Sequence, residues 1–199
     1  MTGDLPPQIL LGAYAQGVFP MADDGEVLWF SPVQRGILPL DGGFRVPHGL
    51  RRTLRKHPFE VRWNTAFEAV MRGCADRPDT WIDERIVRSY VSLHELGFAH
   101  SVECWDQDGL QGGLYGVAMG RAFFGESMFS RKTDASKVAL VHLVEELRAR
   151  RFEMLDTQWM TPHLRQFGGT EITRDQYAAW LAKALGPTPW LAPVLGPDR

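Results

Sequence analysis

Cysteine is nearly missing from this chain: Cys74 and Cys104 are the only two in 199 residues, and neither stands in a metal-ligand spacing. That argues for two reduced core thiols and against a disulfide-stapled scaffold or a zinc centre, so no metal is expected. Long apolar runs are missing too. No stretch approaches the ~18 residues that cross a bilayer, and Met1-Thr2-Gly3-Asp4 is neither cationic nor apolar as a secretion signal would be. A cytoplasmic protein without a membrane partner is expected. Charge of one sign is also lacking, since 22 Lys and Arg against 24 Asp and Glu give a formal net charge of -2. A globally basic nucleic-acid binder is thereby excluded, although a local basic face, acting over about 8 Å at physiological salt, is not.

Two catalytic signatures are absent as well. A serine hydrolase elbow needs Gly-x-Ser-x-Gly, but Gly125-Glu126-Ser127-Met128-Phe129 puts phenylalanine where the second glycine belongs. A coenzyme-A-dependent acetyltransferase needs a glycine-rich phosphate cradle opening a helix, and Arg131-Lys132-Thr133-Asp134-Ala135 offers cations without glycine. There is no internal repeat and no low-complexity run.

What is there is a globular composition, 44% apolar and 23% charged, enough for one good core or two small ones. The spacing predicts short helices over 8–16 and 47–56, the second carrying Arg51, Arg52, Arg55 and Lys56, the only dense basic cluster of the first half. Val27 to Phe30 reads as a strand stopped at Pro32, with Arg35 to Leu40 as its successor. Phe59 to Trp63 reads as a strand, and Thr65 to Cys74 and Asp83 to Leu96 as helices, the last ended by Gly97. Ala99 to Trp105 alternates as a strand. A change of texture near Gly97, from irregular and Arg-rich to continuous αβ, divides the chain into a small lobe, 1–97, a second lobe, 98–185, and a Pro-rich tail, 186–199, which packs by Trp190 or not at all.

The second lobe holds the stretch on which the rest depends, residues 112–158. Leu114 to Met119 and Ala122 to Phe124 flank Gly120-Arg121 as a hairpin of buried strands. Glu126 follows inside apolar sequence, where an unpaired charge is expensive to bury, so it wants a cationic partner. Asp134 is placed to cap a helix from Ala135 to Arg150 with Val138, Val141, Val144 and Leu147 on one stripe, widened by Leu140 and Leu143. Phe152 to Leu155 then reads as a strand that delivers Asp156, Thr157 and Gln158 at its end, where α/β sheets usually place ligands.

These landmarks resemble the leucyl/phenylalanyl-tRNA-protein transferase family from Tyr14 to Tyr177: Gly17-Val18-Phe19-Pro20, Leu28-Trp29-Phe30-Ser31-Pro32, Arg35-Gly36-Ile37, Thr80-Trp81-Ile82, Leu93-His94-Glu95-Leu96-Gly97, Gly125-Glu126-Ser127-Met128-Phe129-Ser130 and Asp156-Thr157-Gln158. The resemblance implies an α+β protein of two lobes, a small irregular N-terminal α/β lobe and a C-terminal acetyltransferase-like (GNAT-like) mixed sheet with flanking helices. It implies an enzyme that moves Leu or Phe, with Met open as a third donor, from aminoacyl-tRNA to the N-terminal Arg or Lys of a protein, marking it for degradation. Many members carry Cys where Thr157 stands; along a strand that side chain should point away from its neighbours, with little effect on chemistry.

An aminoacyl ester is already activated, so neither ATP, cofactor nor metal is needed, and positioning with oxyanion stabilisation can supply most of the rate. On this reading the catalytic residues are Asp156, Gln158 and Glu126. Asp156 is the base or an amine anchor, Gln158 orients the amine or the ester oxygen because an amide is a very poor proton acceptor, and Glu126 binds the cationic side chain or amine of the acceptor. Met119, Met128, Phe129, Leu114 and Leu143 are available as a greasy donor side-chain pocket. Trp29, Trp81 and Tyr90 resemble the family positions that stack or frame the adenosine of the tRNA end, and Arg51, Arg52, Arg55 and Lys56 would meet tRNA phosphates. A monomer is expected.

Overall fold

The structure, a computed structural model, describes residues 3–196; Met1, Thr2 and the last three positions, Pro197 of the tail among them, lie outside the described residues. The chain runs α1 (Pro7–Tyr14), β1 (Phe19–Asp23), β2 (Glu26–Phe30), β3 (Gln34–Leu38), α2 (His48–Lys56), β4 (Glu60–Trp63), α3 (Phe67–Ala75), α4 (Glu84–Glu95), β5 (Ala99–Asp106), β6 (Gly109–Met119), β7 (Ala122–Ser130), α5 (Ala135–Ala149), β8 (Met154–Gln158), α6 (Pro162–Arg165), β9 (Thr170–Thr173) and α7 (Arg174–Leu185). This is an α+β architecture: a seven-stranded mixed sheet in the order β4-β5-β6-β7-β8-β3-β9, flanked by helices, beside a separate β1-β2 hairpin.

Strand β6 shows why the central stretch is apolar almost throughout. Successive side chains of a strand point to opposite faces, and here both faces are covered. Leu114 and Ala118 join the core beneath α5, while Tyr115, Val117 and Met119 join the core beneath α1, α3, α4 and α7. Helix α5 buries Val138, Leu140, Val141, Leu143, Val144 and Leu147 as its spacing predicts. Truncating one of these to Ala would cost about 2–5 kcal/mol.

The β7–β8 pair decides where a site can form. It is the only parallel pair among the described strands, and α5 supplies the crossover that parallel strands require. Pairing covers only Ala122 to Phe124 against Met154 to Asp156, and beyond those residues the two strands diverge. Everything described below lies at that fork.

Three expectations need correction. Strand β3 does form over the predicted residues, but it does not succeed β2 in a sheet: β2 pairs with β1, and β3 is inserted between β8 and β9. Gly36 makes this close approach possible, because a Cβ there would lie 2.7 Å from the carbonyl carbon of Trp159. Strands β3 and β4 both precede residue 97 and both belong to the large sheet. Asp134 stands at the N-cap of α5 but makes no capping bond; it is left-handed (φ 67°), and its carboxylate takes Lys137 Nζ at 2.8 Å and Thr53 Oγ1 at 2.9 Å instead. The tail packs by Leu195, 5% exposed, while Trp190 is 58% exposed.

Candidate active site

Asp156 ends the part of β8 that pairs with β7, and its fully buried carboxylate needs partners because burying an unpaired charge is costly. Arg35 of β3 supplies them. Its Nε donates to Asp156 Oδ1 at 2.9 Å and its Nη2 to Oδ2 at 2.6 Å, with both residues fully enclosed at 1% and 0% exposure. Tyr177 Oη donates to Oδ2 at 2.8 Å, and the backbone N–H of Gln158 donates to Oδ1 at 2.8 Å. The guanidinium gives its remaining arm, Nη1, to Gly17 O at 2.8 Å and lies over the rings of Tyr177 and Phe19. Burial alone would lower the Arg35 pKa, but the bonds to Asp156 outweigh it and the pKa is raised.

This ion pair organises the end of β8. Gln158 is held at φ +57°, a conformation costly for a side-chain-bearing residue, and its N–H bond to Asp156 fixes it there. The side-chain amide is thereby aimed across the fork, where Nε2 donates to Glu126 Oε1 at 3.2 Å. The other oxygen of Glu126 accepts from Tyr90 Oη at 3.3 Å, and Tyr90 hydrogen-bonds Tyr14 in turn. Desolvation pushes the Glu126 pKa up to about 8; hydrogen bonding from Tyr14 opposes this and the nearby Asp156 charge adds to it. Burial likewise drives the Tyr14, Tyr90 and Tyr177 hydroxyls well above their ordinary range, so they act as neutral hydrogen-bonding groups.

A cavity of about 330 Å³ opens through the fork. Glu126, Gln158, Tyr115, Phe19, Met21, Trp81 and Arg77 line one side, and Leu114, Met128, Leu140, Leu143, Leu155 and Leu164 line the other. The first set borders the core under α1, α3 and α4 and the second the core under α5, so one opening joins a polar chamber to an apolar one.

Of the residues expected here, Glu126, Gln158, Trp81, Leu114, Met128 and Leu143 line the cavity. Asp156 and Tyr90 stand directly behind it, bonded to Gln158 and Glu126. Met119 and Phe129 do not line it. Met119 is fully buried in the core under α3 and α4, and the Phe129 ring is turned toward α3, where a Cβ on Gly73 would meet it at 2.6 Å. Trp29 is spent on packing against that same core from β2. Thr157 does line the cavity, from the same side of β8 as Leu155. Arg51, Arg52, Arg55 and Lys56 are exposed on α2, and Arg52 and Lys56 edge a separate depression with Lys132.

Arg35, Tyr14 and Tyr177 had no role in the sequence reading. A lone arginine heading an apolar strand and a lone acid ending another were the available signal. Glu126 was expected to need a cation; the cation pairs with Asp156, leaving Glu126 among hydroxyls and an amide. The two cysteines are free and buried, and desolvation pushes each thiol up to about 12. Among the described residues no group of three or more His, Cys, Asp and Glu could hold a metal ion, and no helix is long and apolar enough to cross a membrane.

A buried carboxyl with a raised pKa, facing a cavity with an apolar wall, marks this fork as the candidate site. The family model described as Leucyl/phenylalanyl-tRNA protein transferase matches residues 37–182, and that of the N-terminal domain of the same transferase matches residues 3–33. Proteins named Leucyl/phenylalanyl-tRNA--protein transferase are 58% identical in Akkermansia muciniphila, over 93% of this chain and 98% of that one, and 60% identical in Paramagnetospirillum magneticum, over 94% and 92%. The relative in Salinibacter ruber is 54% identical over 95% of this chain and 84% of its own. The chain belongs to the leucyl/phenylalanyl-tRNA protein transferase family and is an aminoacyltransferase. Among solved structures, L-PGS from Bacillus licheniformis matches with a TM-score of 0.47 and 9% identity, covering 77% of this chain and 65% of that one.

Proposed function

We propose that this protein moves leucine or phenylalanine, with methionine as a further donor, from aminoacyl-tRNA onto the N-terminal arginine or lysine of an acceptor protein, creating a degradation signal. It acts as a cytoplasmic monomer and needs neither ATP nor metal. The observation that carries this reading is Glu126, a carboxyl with a pKa near 8 held by Gln158 and Tyr90 where the polar and apolar chambers meet.

The donor side chain enters the apolar chamber among Leu114, Met128, Leu140, Leu143 and Leu155, and Trp81 frames the terminal adenine. The ester carbonyl then lies at the junction beside Gln158. An α-amino group has a pKa near ~7.7–8.0, so a substantial fraction is already neutral at physiological pH and reaches the site without giving its first proton to Glu126. As the amine nitrogen bonds to the carbonyl carbon, its proton passes to the Glu126 carboxylate; the carbon–oxygen bond to the ribose then breaks, and the proton returns to the departing oxygen. The cationic acceptor itself draws Glu126 toward the ionised form. The Asp156 carboxylate is already taken up by Arg35, Tyr177 and the backbone N–H of Gln158, so its part is to position Gln158.

The reading is tested by offering labelled leucyl- or phenylalanyl-tRNA and an Arg-starting peptide to the purified protein without ATP. Transfer is expected, and its absence with an active tRNA preparation would remove the proposal.

A further inference from the structure

One charged side chain on the cavity wall takes no part in the chemistry above. Arg77 sits in the loop between α3 and α4, exposed, at the mouth of the polar chamber and four residues before Trp81. Among the described lining residues it is the only arginine or lysine. It forms no ion pair among the described residues, and its one side-chain contact is a long 3.5 Å approach of Nη2 to Ser127 Oγ, next to Glu126 in the chain. Two neighbouring arginines are engaged: exposed Arg72 is locked to Glu68 and Glu84, and the less exposed Arg85 to Asp83. An unpaired guanidinium at a cavity mouth remains available for an anion from outside.

We infer that Arg77 binds the phosphodiester on the 5′ side of the terminal adenosine, an assignment that rests on the aminoacyl-tRNA reading above. A guanidinium presents a planar fork that matches two phosphate oxygens, and the contact is charge-assisted. Its place fixes the register. With the phosphate on Arg77, the nucleoside that follows lies against Trp81 and its ester reaches Glu126 and Gln158. The same charge sorts the two substrates, because a cationic acceptor is repelled from the Arg77 side and drawn to the Glu126 side.

The strand has a continuation. Arg131, exposed just after β7, edges the adjoining depression with Gly73, Ala75 and Asp76; it donates Nη1 to Leu110 O at 3.2 Å and makes no ion pair among the described residues. Beyond it lies the depression edged by Arg52, Lys56 and Lys132. Lys132 is already neutralised by Asp106 and Asp108, so Arg131 is the next open cation along this rim. Both depressions also carry carboxylates, Asp76 and Glu84 in the first and Asp106 and Asp134 in the second, so the assignment rests on Arg77 at the cavity mouth.

Two simple donors isolate the Arg77 contact: the phenylalanyl ester of adenosine, and the same ester carrying a 5′-phosphate. Wild type is expected to favour the phosphorylated ester in kcat/KM by about three- to tenfold at low salt, the range of one exposed charge-assisted contact. Arg77→Gln should bring the ratio close to one, and Arg77→Lys should retain part of it. Equilibrium binding of adenosine 5′-monophosphate and of adenosine, followed by Trp fluorescence, gives a readout that needs no turnover and should show the same preference and the same collapse. A wild-type ratio near one, or an Arg77→Gln variant that loses both ligands equally, would overturn the assignment. Failure of wild type to transfer from either ester or from charged tRNA, with the nucleotide preference intact, would instead strike the aminoacyl-transfer reading.

Discussion

Arg35 and Asp156 lie 121 positions apart in the chain and are fully buried against each other, with Arg35 Nη2 2.6 Å from Asp156 Oδ2. The pair joins β3 to β8 and holds Gln158 in a conformation it would not otherwise adopt. Stability and the aim of the Gln158 amide therefore depend on the same contact.

Removing one partner leaves the other charge buried alone. Asp156→Ala should cost about 3–5 kcal/mol in urea unfolding, whereas the double replacement Arg35→Met with Asp156→Leu should recover much of that loss without restoring transfer. Additive losses in the double variant would mean the pair is not coupled.

The Glu126 carboxyl makes stability depend on pH in an uncommon direction. Its pKa rises from an ordinary 4.5 to about 8 in the folded protein, so between these values the native state holds the extra proton. This contribution is fully present below the unfolded value and is lost as pH rises through the folded one. Wild type should lose stability as pH increases from about 4.5 to about 8, and Glu126→Gln should show a flatter profile. Thermal unfolding of both proteins across this range checks it; parallel profiles would place the titrating group elsewhere.

On the proposed reading, the apolar chamber sets donor choice by volume. Leu143→Phe fills it from α5 and should lower kcat/KM for phenylalanyl-tRNA relative to leucyl-tRNA by about tenfold or more, since a few buried atoms of fit are worth ~1–3 kcal/mol. An unchanged ratio in competition assays would show that the donor side chain lies elsewhere.

On the proposed reading, the basic face of α2 contributes affinity for tRNA without sequence preference. Arg51→Glu with Arg55→Glu should weaken tRNA binding and reduce the salt slope by about one per lost contact. Binding unaffected by both changes would give that helix another job.

Local pattern carried much of this structure. The hairpin at Gly120-Arg121, the stripe of α5 and the start of α4 at Asp83 follow from spacing and capping within a few residues, and each formed as expected. Chain neighbours misled where pairing was remote. Nothing near Arg35 indicates that its strand lies between β8 and β9, because that placement depends on partners more than a hundred positions away. The site divides in the same way. Glu126 and Gln158 could be picked out as polar groups at the end of apolar runs, and Leu114, Met128 and Leu143 as apolar residues near them. Met119 and Phe129 were drawn in by proximity along the chain, although the β6 pleat turns Met119 to the other face and α3 claims Phe129. Which acid holds the proton was illegible without the third dimension, since it depends on where a single arginine goes.

On the proposed mechanism, Glu126 takes the proton of the attacking amine. Single-turnover transfer from phenylalanyl-tRNA to an Arg-starting peptide, measured for wild type and Glu126→Gln at saturating donor, tests it most directly. A loss of about 10²–10⁴-fold in the rate of peptide-bond formation, with donor affinity retained, is the expected result. A variant that transfers at the wild-type rate would contradict it.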